Sequence, residues 1–318
     1  MQVKWQGETS TSYSLKGGGT QGGLLGILEY LSQTNSNTDF IDIQDKFKFI
    51  DDLSFLEILN LITQGIISYD FKSHVSSDIS VDHNQFIPSD TLKSQSNLNQ
   101  ISQWTKNSKM QINASKSKYM IVNFSNKYQF NTRLFIDGNP IEQVRSTKLL
   151  GVTINDALSW HENTQEIVKK ANKRMVILHN LSAFSLPIEE MIEIYILYIR
   201  SVVEYSAVVW HSSLTQEDSL RLERIQKTSL RIILQEQYID YPQALKYVGL
   251  QTLEERRTHL SRNFAKNCVK NRKMAHMFPL NPNHSNTRAH EKFFVQHAST
   301  DRLRDSAIPY MQRLLNAN

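Results

Sequence analysis

Apolar residues along this chain keep two different periods. In the first half they come in short runs. Phe47 and Phe49, then Leu53 and Phe55, alternate with polar residues. Leu134-Phe135-Ile136 runs into Asp137-Gly138, and Ile141 to Val144 and Lys148 to Ile154 follow. Alternation and a tight-turn pair of this kind predict short strands. One amphipathic helix is predicted over 92–107, with Leu98, Ile101 and Trp104 on one face, and the chain then turns at 110–117 into a strand. From Asp156 to Lys273 the period lengthens and the pattern is helical throughout. Ile167, Ala171, Met175, Leu178 and Leu181 mark a first helix. Pro187 suits the first turn of a second, whose body from Ile188 to Val209 is apolar on most sides and so central. A third spans 217–234. Thr252-Leu253-Glu254-Glu255 is a capping box that opens a fourth. The residues from Phe278 to Asn318 read as a tail packing back on the helices. The fold class is α+β, with a strand-rich first half and an all-helical second half.

Composition narrows the function classes. The chain has 318 residues, 40% of them hydrophobic, and a mean hydropathy of −0.43. No run is apolar and uncharged for long enough to span a bilayer; Met191 to Trp210 comes nearest and is broken by Glu193, Arg200 and Glu204. The first residues lack an apolar signal core, and the single cysteine, Cys268, excludes an internal disulfide and a cysteine zinc site. An intracellular protein, nuclear or cytoplasmic, is expected. The net charge is +5, carried by the second half: residues 161–318 hold 22 Lys and Arg against 16 Asp and Glu. Such a balance suits a grip on a polyanion.

The candidate chemistry lies in two stretches. Asp51 and Asp52 stand side by side between Phe49 and Leu53, at the tip of a predicted hairpin. An Asp pair in a turn is often only a polar turn, but adjacent carboxylates in apolar surroundings also suit a Mg²⁺ ion. About thirty residues upstream, Lys16 to Gly26 is a glycine-rich loop that opens a helix, without the spacing of a P-loop or a dinucleotide fingerprint. Further on, Arg256, Arg257, Arg262, Lys266, Lys270 and Lys273 recur along the fourth helix, and Arg221, Arg224, Lys227 and Arg231 along the third. Basic residues at helical spacing either track a phosphate backbone or form a solvated face. Trp210-His211 reads as a buried structural corner.

Taken in this order, the stretches resemble the reverse transcriptase of non-LTR (LINE-type) retrotransposons. Gly19-Thr20-Gln21-Gly22 is similar to that family's glycine–glutamine loop, and Phe49-Ile50-Asp51-Asp52 to its aromatic-x-Asp-Asp motif. The region from Trp104 to Phe124 is similar to the motif whose lysine is held to protonate the leaving pyrophosphate. Lys116 and Lys118 are both placed for that role. Lys148-Leu149-Leu150-Gly151-Val152 is similar to the primer-grip hairpin. The resemblance implies a partial palm over 1–155, an antiparallel sheet with helices. It implies a helical thumb over 156–275 and a tail over 276–318. It implies Mg²⁺ on Asp51 and Asp52, and a nucleotide and template against Gly19, Gln21, Gly22 and Phe49. The primer would lie on Leu150 and Gly151, and the duplex on Arg256, Arg262, Lys266 and Lys270. The expected partners are an RNA template and a DNA primer, with no membrane. The family activity is RNA-directed DNA polymerisation. The residues before Lys16 hold no Asp, so the third carboxylate of a two-metal site is expected to be missing. The chain alone is then expected to be inactive, unless a second chain completes the palm. Two alternatives from other classes are a non-catalytic nucleic-acid-binding protein and a helical protein-interaction module.

Overall fold

The computed structural model describes residues 4–5, 8–9, 46–49, 52–55, 84–86, 92–108, 111–123, 129–184, 186–281, 292–295 and 301–317. The chain divides into two compact units, 1–144 and 145–318. It is α+β.

In the first unit the strands are short and pair two by two. β1 (Lys4–Trp5) runs antiparallel to β2 (Glu8–Thr9), and β3 (Lys46–Phe49) to β4 (Asp52–Phe55), with Phe49 opposite Asp52. β5 (Asn84–Phe86) lies parallel to β7 (Gln129–Asn131), and β6 (Lys118–Tyr119) parallel to β10 (Glu142–Gln143). β8 (Phe135–Ile136) and β9 (Asn139–Pro140) close a tight hairpin through Asp137 and Gly138. Both turn residues have positive φ, 51° and 77°. That is the pair of conformations a two-residue hairpin needs, and Asp-Gly supplies it. Instead of the single antiparallel sheet expected, the described residues form separate pairs, two of them parallel.

Helix α1 (Lys93–Asn107) ties this hairpin down, with a rotated face. Leu98 is buried with Leu92, Leu134, Ile136 and Ile141. Ile101 and Trp104, expected beside Leu98, are only half-buried, while Gln95 and Ser102 are buried in their place. The reason is a polar tie. The Gln95 amide donates to the carbonyl of Phe135 and accepts its N–H, both at 2.9 Å, so it replaces a strand neighbour. One turn apart, Ser102 and Lys106 both hold the Asp137 carboxylate, Lys106 at 2.7 Å, and their hydrogen bonds lower its pKa. Residues 95, 98, 102 and 106 form one helical face.

The second unit begins with the hairpin β11 (Ser146–Leu149) and β12 (Val152–Asn155). Val152 belongs to the main core of this unit. The hairpin therefore packs with the helices, although the sequence places it at the end of the first domain. Helix α2 (His161–Ser182) buries Ile167, Ala171, Met175 and Leu178, four of the five apolar positions predicted for its inner face. It runs parallel to α6 (Gln216–Leu234). At one end His161 Nδ1 meets the buried Asp218 carboxylate at 2.9 Å, and at the other Gln235 donates to the carbonyl of Ser182.

The second predicted helix is not continuous. Pro187 caps α3 (Ile188–Ile194), a π-helical turn follows over Tyr195–Arg200, and α4 (Ser201–Glu204) ends it. Met191, Tyr195, Ile199 and Val203 are all buried, spaced by four. At 3.6 residues per turn such a stripe drifts by about 40° at every step. The wider π turn absorbs the drift and keeps the stripe on the core. Ser206 then takes a left-handed conformation, φ 52°, and α5 (Ala207–Trp210) leaves at an angle. The break lets Trp210 Nε1 reach back to the carbonyl of Tyr205 at 3.1 Å.

Helix α7 (Tyr241–Val248), with Asp240 as its N-cap and Gly249 left-handed at its end, separates α6 from α8 (Leu253–Lys270). The capping box of Thr252 and Glu255 is present on α8. A buried polar chain binds these helices. Tyr195 Oη donates to Gln226, whose amide donates to Tyr241 Oη and to the carbonyl of Gln251. After the short α9 (Asp301–Arg304), α10 (Ala307–Asn316) packs on α8, around Ala265, Cys268, Phe278, Phe293 and Met311. Cys268 is a buried packing residue, and burial raises its pKa.

The Trp210-His211 corner is buried, as the sequence suggested, with Trp210 fully enclosed. His211 Nδ1 accepts from Arg257 Nε at 3.2 Å, and its Nε2 lies 3.1 Å from Thr258 Oγ1. Burial first, and then the Arg257 charge, lower its pKa to about 4. In an unfolded chain the value is near 6.5. The folded protein therefore prefers the neutral ring, and its contribution is complete above about pH 6.5. That contribution is lost as the pH falls through the interval between 6.5 and 4, and the loss reaches about 2–3 kcal/mol at pH 4.5. Urea midpoints at pH 7 and 4.5 should show this extra acid sensitivity, and His211→Asn should reduce it. Equal acid sensitivity in both proteins would contradict the assignment.

Candidate nucleic-acid interface

Two of the sequence-predicted site residues, Leu150 and Gly151, form the turn between β11 and β12. Both have positive φ, 47° and 83°. Leu150 pays a steric penalty there that glycine does not. Tyr205 offsets it: its hydroxyl donates to the Leu150 carbonyl at 2.7 Å. Its ring also lies 3.3 Å from where a Cβ on Gly151 would sit. The hairpin base is held as firmly. Asn163 accepts the Thr153 N–H at 3.1 Å, and Lys148 pairs with Glu166, whose carboxyl it holds below the ordinary range. The tip itself is open, with Leu149, Leu150 and Tyr205 all exposed.

The hairpin is seated on the first turns of α2, at Asn163 and Glu166, and the outer face of that helix runs on from there. Lys169, Lys170 and Lys173 are exposed there, and Arg174 is half-buried. Arg174 donates to the carbonyl of Tyr198, and its guanidinium lies 4.5 Å from the centre of the Tyr198 ring. On the other flank, Lys169 and Lys173 share a groove of about 570 Å³ with Arg221 of α6, lined also by Gln165, Asn172 and Val176. Arg221 is paired with Glu217, so the groove has a surplus of lysine charge. Exposed cations interleaved with tyrosines offer phosphate contacts and flat rings together. The sequence reading passed over this helix as a source of charge, although Lys169-Lys170-Ala171-Asn172-Lys173-Arg174 places four cations in six residues.

The predicted stripe on α8 is less uniform. Lys266 and Lys270 are exposed, but Arg262 is half-buried, and Arg256 binds Glu204 at 3.1 Å. Arg257, counted with the stripe in the sequence, is fully buried and faces His211 and Ser219. It is a core residue and leaves the surface list. In the first unit, Lys118 pairs with Glu142 at 3.2 Å, whereas Lys116 is exposed and has no ion pair among the described residues. Phe49 and Asp52 are register partners in the β3–β4 pair. Asp51, Gly19, Gln21 and Gly22 lie outside the described residues. Among the described residues no group of three His, Cys, Asp or Glu is placed to hold a metal, and no helix is long and apolar enough to cross a membrane.

Comparison of the chain with protein-family models, with curated proteins and with solved structures gives no match.

Proposed function

We propose that this chain is a palm-and-thumb part of a LINE-type reverse transcriptase, and that its second unit holds the nucleic acid. The observation that carries the proposal is the open turn of Leu150 and Gly151, pinned by Tyr205, on a hairpin seated on the lysine-rich helix α2. The absent Gly151 side chain makes room for the Tyr205 ring, and the exposed tip leaves the backbone of the turn open to a sugar-phosphate chain. Lysines on one side and tyrosines on the other then meet phosphates and bases. The order of the sequence motifs supports the family, and with it the roles of the residues of the first unit. Asp51 and Asp52 would hold Mg²⁺; Gly19, Gln21, Gly22 and Phe49 would meet the nucleotide and template. Of the two candidate lysines, Lys116 has no ion pair among the described residues, and Lys118 would first have to leave Glu142.

Binding of a labelled RNA–DNA hybrid, followed by fluorescence anisotropy over a range of salt, tests the proposal. The logarithm of the association constant should fall linearly with the logarithm of salt, by about 0.9 per phosphate contacted. Asp51→Asn/Asp52→Asn should bind equally well, since the grip lies elsewhere. No binding, or binding indifferent to salt, would refute the proposal and favour a helical protein-interaction module.

A further inference from the structure

A second, smaller recess lies away from the groove on α2. It encloses about 270 Å³ and is lined by Arg200, Gln226, Gly249, Leu250, Gln251 and Arg256. Its chemistry is unusual for a surface recess. Arg200 Nε and Arg256 Nε both lie against the same oxygen of Glu204, Oε1, at 3.2 and 3.1 Å. The Arg200 and Glu204 side chains are only 16% and 15% exposed, and that of Arg256 34%. One carboxylate thus faces two guanidinium groups in a largely water-excluded place. One positive charge is left over, and neither arginine has a second acidic partner among the described residues. The floor is rigid. Gln226, fully buried, fixes the loop through the Gln251 carbonyl, and Gly249 is left-handed with open space around its Cα.

We propose that this recess is a binding site for a single phosphate group. Guanidinium groups bind phosphate through paired N–H donors, and two of them around one anion are the usual way a protein selects it. The surplus charge matches an anion, and the volume admits a phosphate with its first neighbours. Glu204 has two effects: it aims both arginines, and it competes with the ligand for them. The site does not depend on the nucleic-acid proposal, since a free phosphate ion and the phosphate of a polynucleotide present the same oxygens.

The test is the thermal unfolding midpoint of the 318-residue chain in inorganic phosphate against chloride at equal ionic strength. Phosphate should raise the midpoint, with a concentration dependence that gives an affinity. Arg200→Gln and Arg256→Gln should each weaken that affinity by roughly tenfold or more. Glu204→Gln should strengthen it several-fold, because the competing charge is gone while the Gln oxygen still accepts from both arginines and keeps them aimed. A merely structural Glu204 would not produce that gain, so this variant decides the matter even if an arginine variant fails to fold. No phosphate effect beyond chloride, or an unaltered effect in Arg200→Gln, or no gain in Glu204→Gln, would overturn the proposal. Short DNA oligonucleotides then distinguish the sources. Displacement of bound phosphate by a 5′-phosphorylated oligonucleotide alone assigns a chain end, and displacement also by its 5′-hydroxyl form assigns an internal phosphodiester. Displacement by neither assigns the free ion.

Discussion

Arg257→Ala is expected to lower the stability of the second unit by on the order of 3–5 kcal/mol. Arg257 is a charged side chain with no exposed surface, and its partners are neutral. Its Nε donates to His211 and its Nη2 to Ser219 at 3.0 Å, and the guanidinium lies 6.0 Å from the centre of the Trp210 ring. Burial lowers its pKa, while Glu223, Glu254 and Glu204 at longer range oppose that shift. Truncation removes the side chain that joins α8 to the Trp210 corner and to α6. It leaves His211 Nδ1 and Ser219 Oγ without a partner and opens a cavity beside the indole. Arg257→Met, which keeps most of the volume and removes the cost of a buried charge, should lose much less. Chemical unfolding of the three proteins checks the order. An alanine variant as stable as the methionine variant would show that the cavity costs nothing, and an alanine variant as stable as the native protein would show that the side chain does not matter.

The second large effect concerns binding. Lys169→Gln, Lys173→Gln and Arg221→Gln together remove the cations of the α2–α6 groove. If each contacts one phosphate at about 1.5 kcal/mol, the loss of affinity for an RNA–DNA hybrid is on the order of a thousandfold. The slope of log K against log salt should become shallower by roughly 2.7, or 0.9 for each lost contact. These side chains are at the surface, so the folding midpoint should hardly move. Lys266→Gln with Lys270→Gln removes exposed charge from α8 and should weaken binding far less. Anisotropy titrations at several salt concentrations separate the α2–α6 groove from α8. Losses in proportion to the charges removed, three against two, would mean that only net charge matters.

Much of this architecture was legible in the sequence, for physical reasons that can be named. The inner face of α2 follows from Ile167, Ala171, Met175 and Leu178 because nothing interrupts the 3.6 period there. The α8 start follows from Thr252 and Glu255 because a capping box acts locally. Asp137-Gly138 gave its turn for the same reason. What was not legible depends on partners distant in sequence. The face of α1 is set by Gln95 meeting Phe135, forty residues away, so apolar spacing alone pointed one step around the helix. The π turn and the break at Ser206 arise because a four-residue stripe must stay on the core, which an all-apolar run from Ile188 to Val209 does not disclose. Arg257 looked like one more basic residue on α8, and only packing shows it buried against His211. At the candidate interface, Leu150 and Gly151 were found from their resemblance to a hairpin motif. The cations of α2 were not, because that helix was read for its apolar face.

The central claim is that nucleic acid lies along α2 and the β11–β12 tip. Lysine acetylation footprinting of the chain, free and bound to an RNA–DNA hybrid at low salt, tests it most directly. The account predicts that Lys169, Lys170 and Lys173 become protected on binding, while Lys266 and Lys270 stay reactive. Protection of Lys266 and Lys270 alone, or no change at Lys169 and Lys173 in a saturated complex, would contradict it.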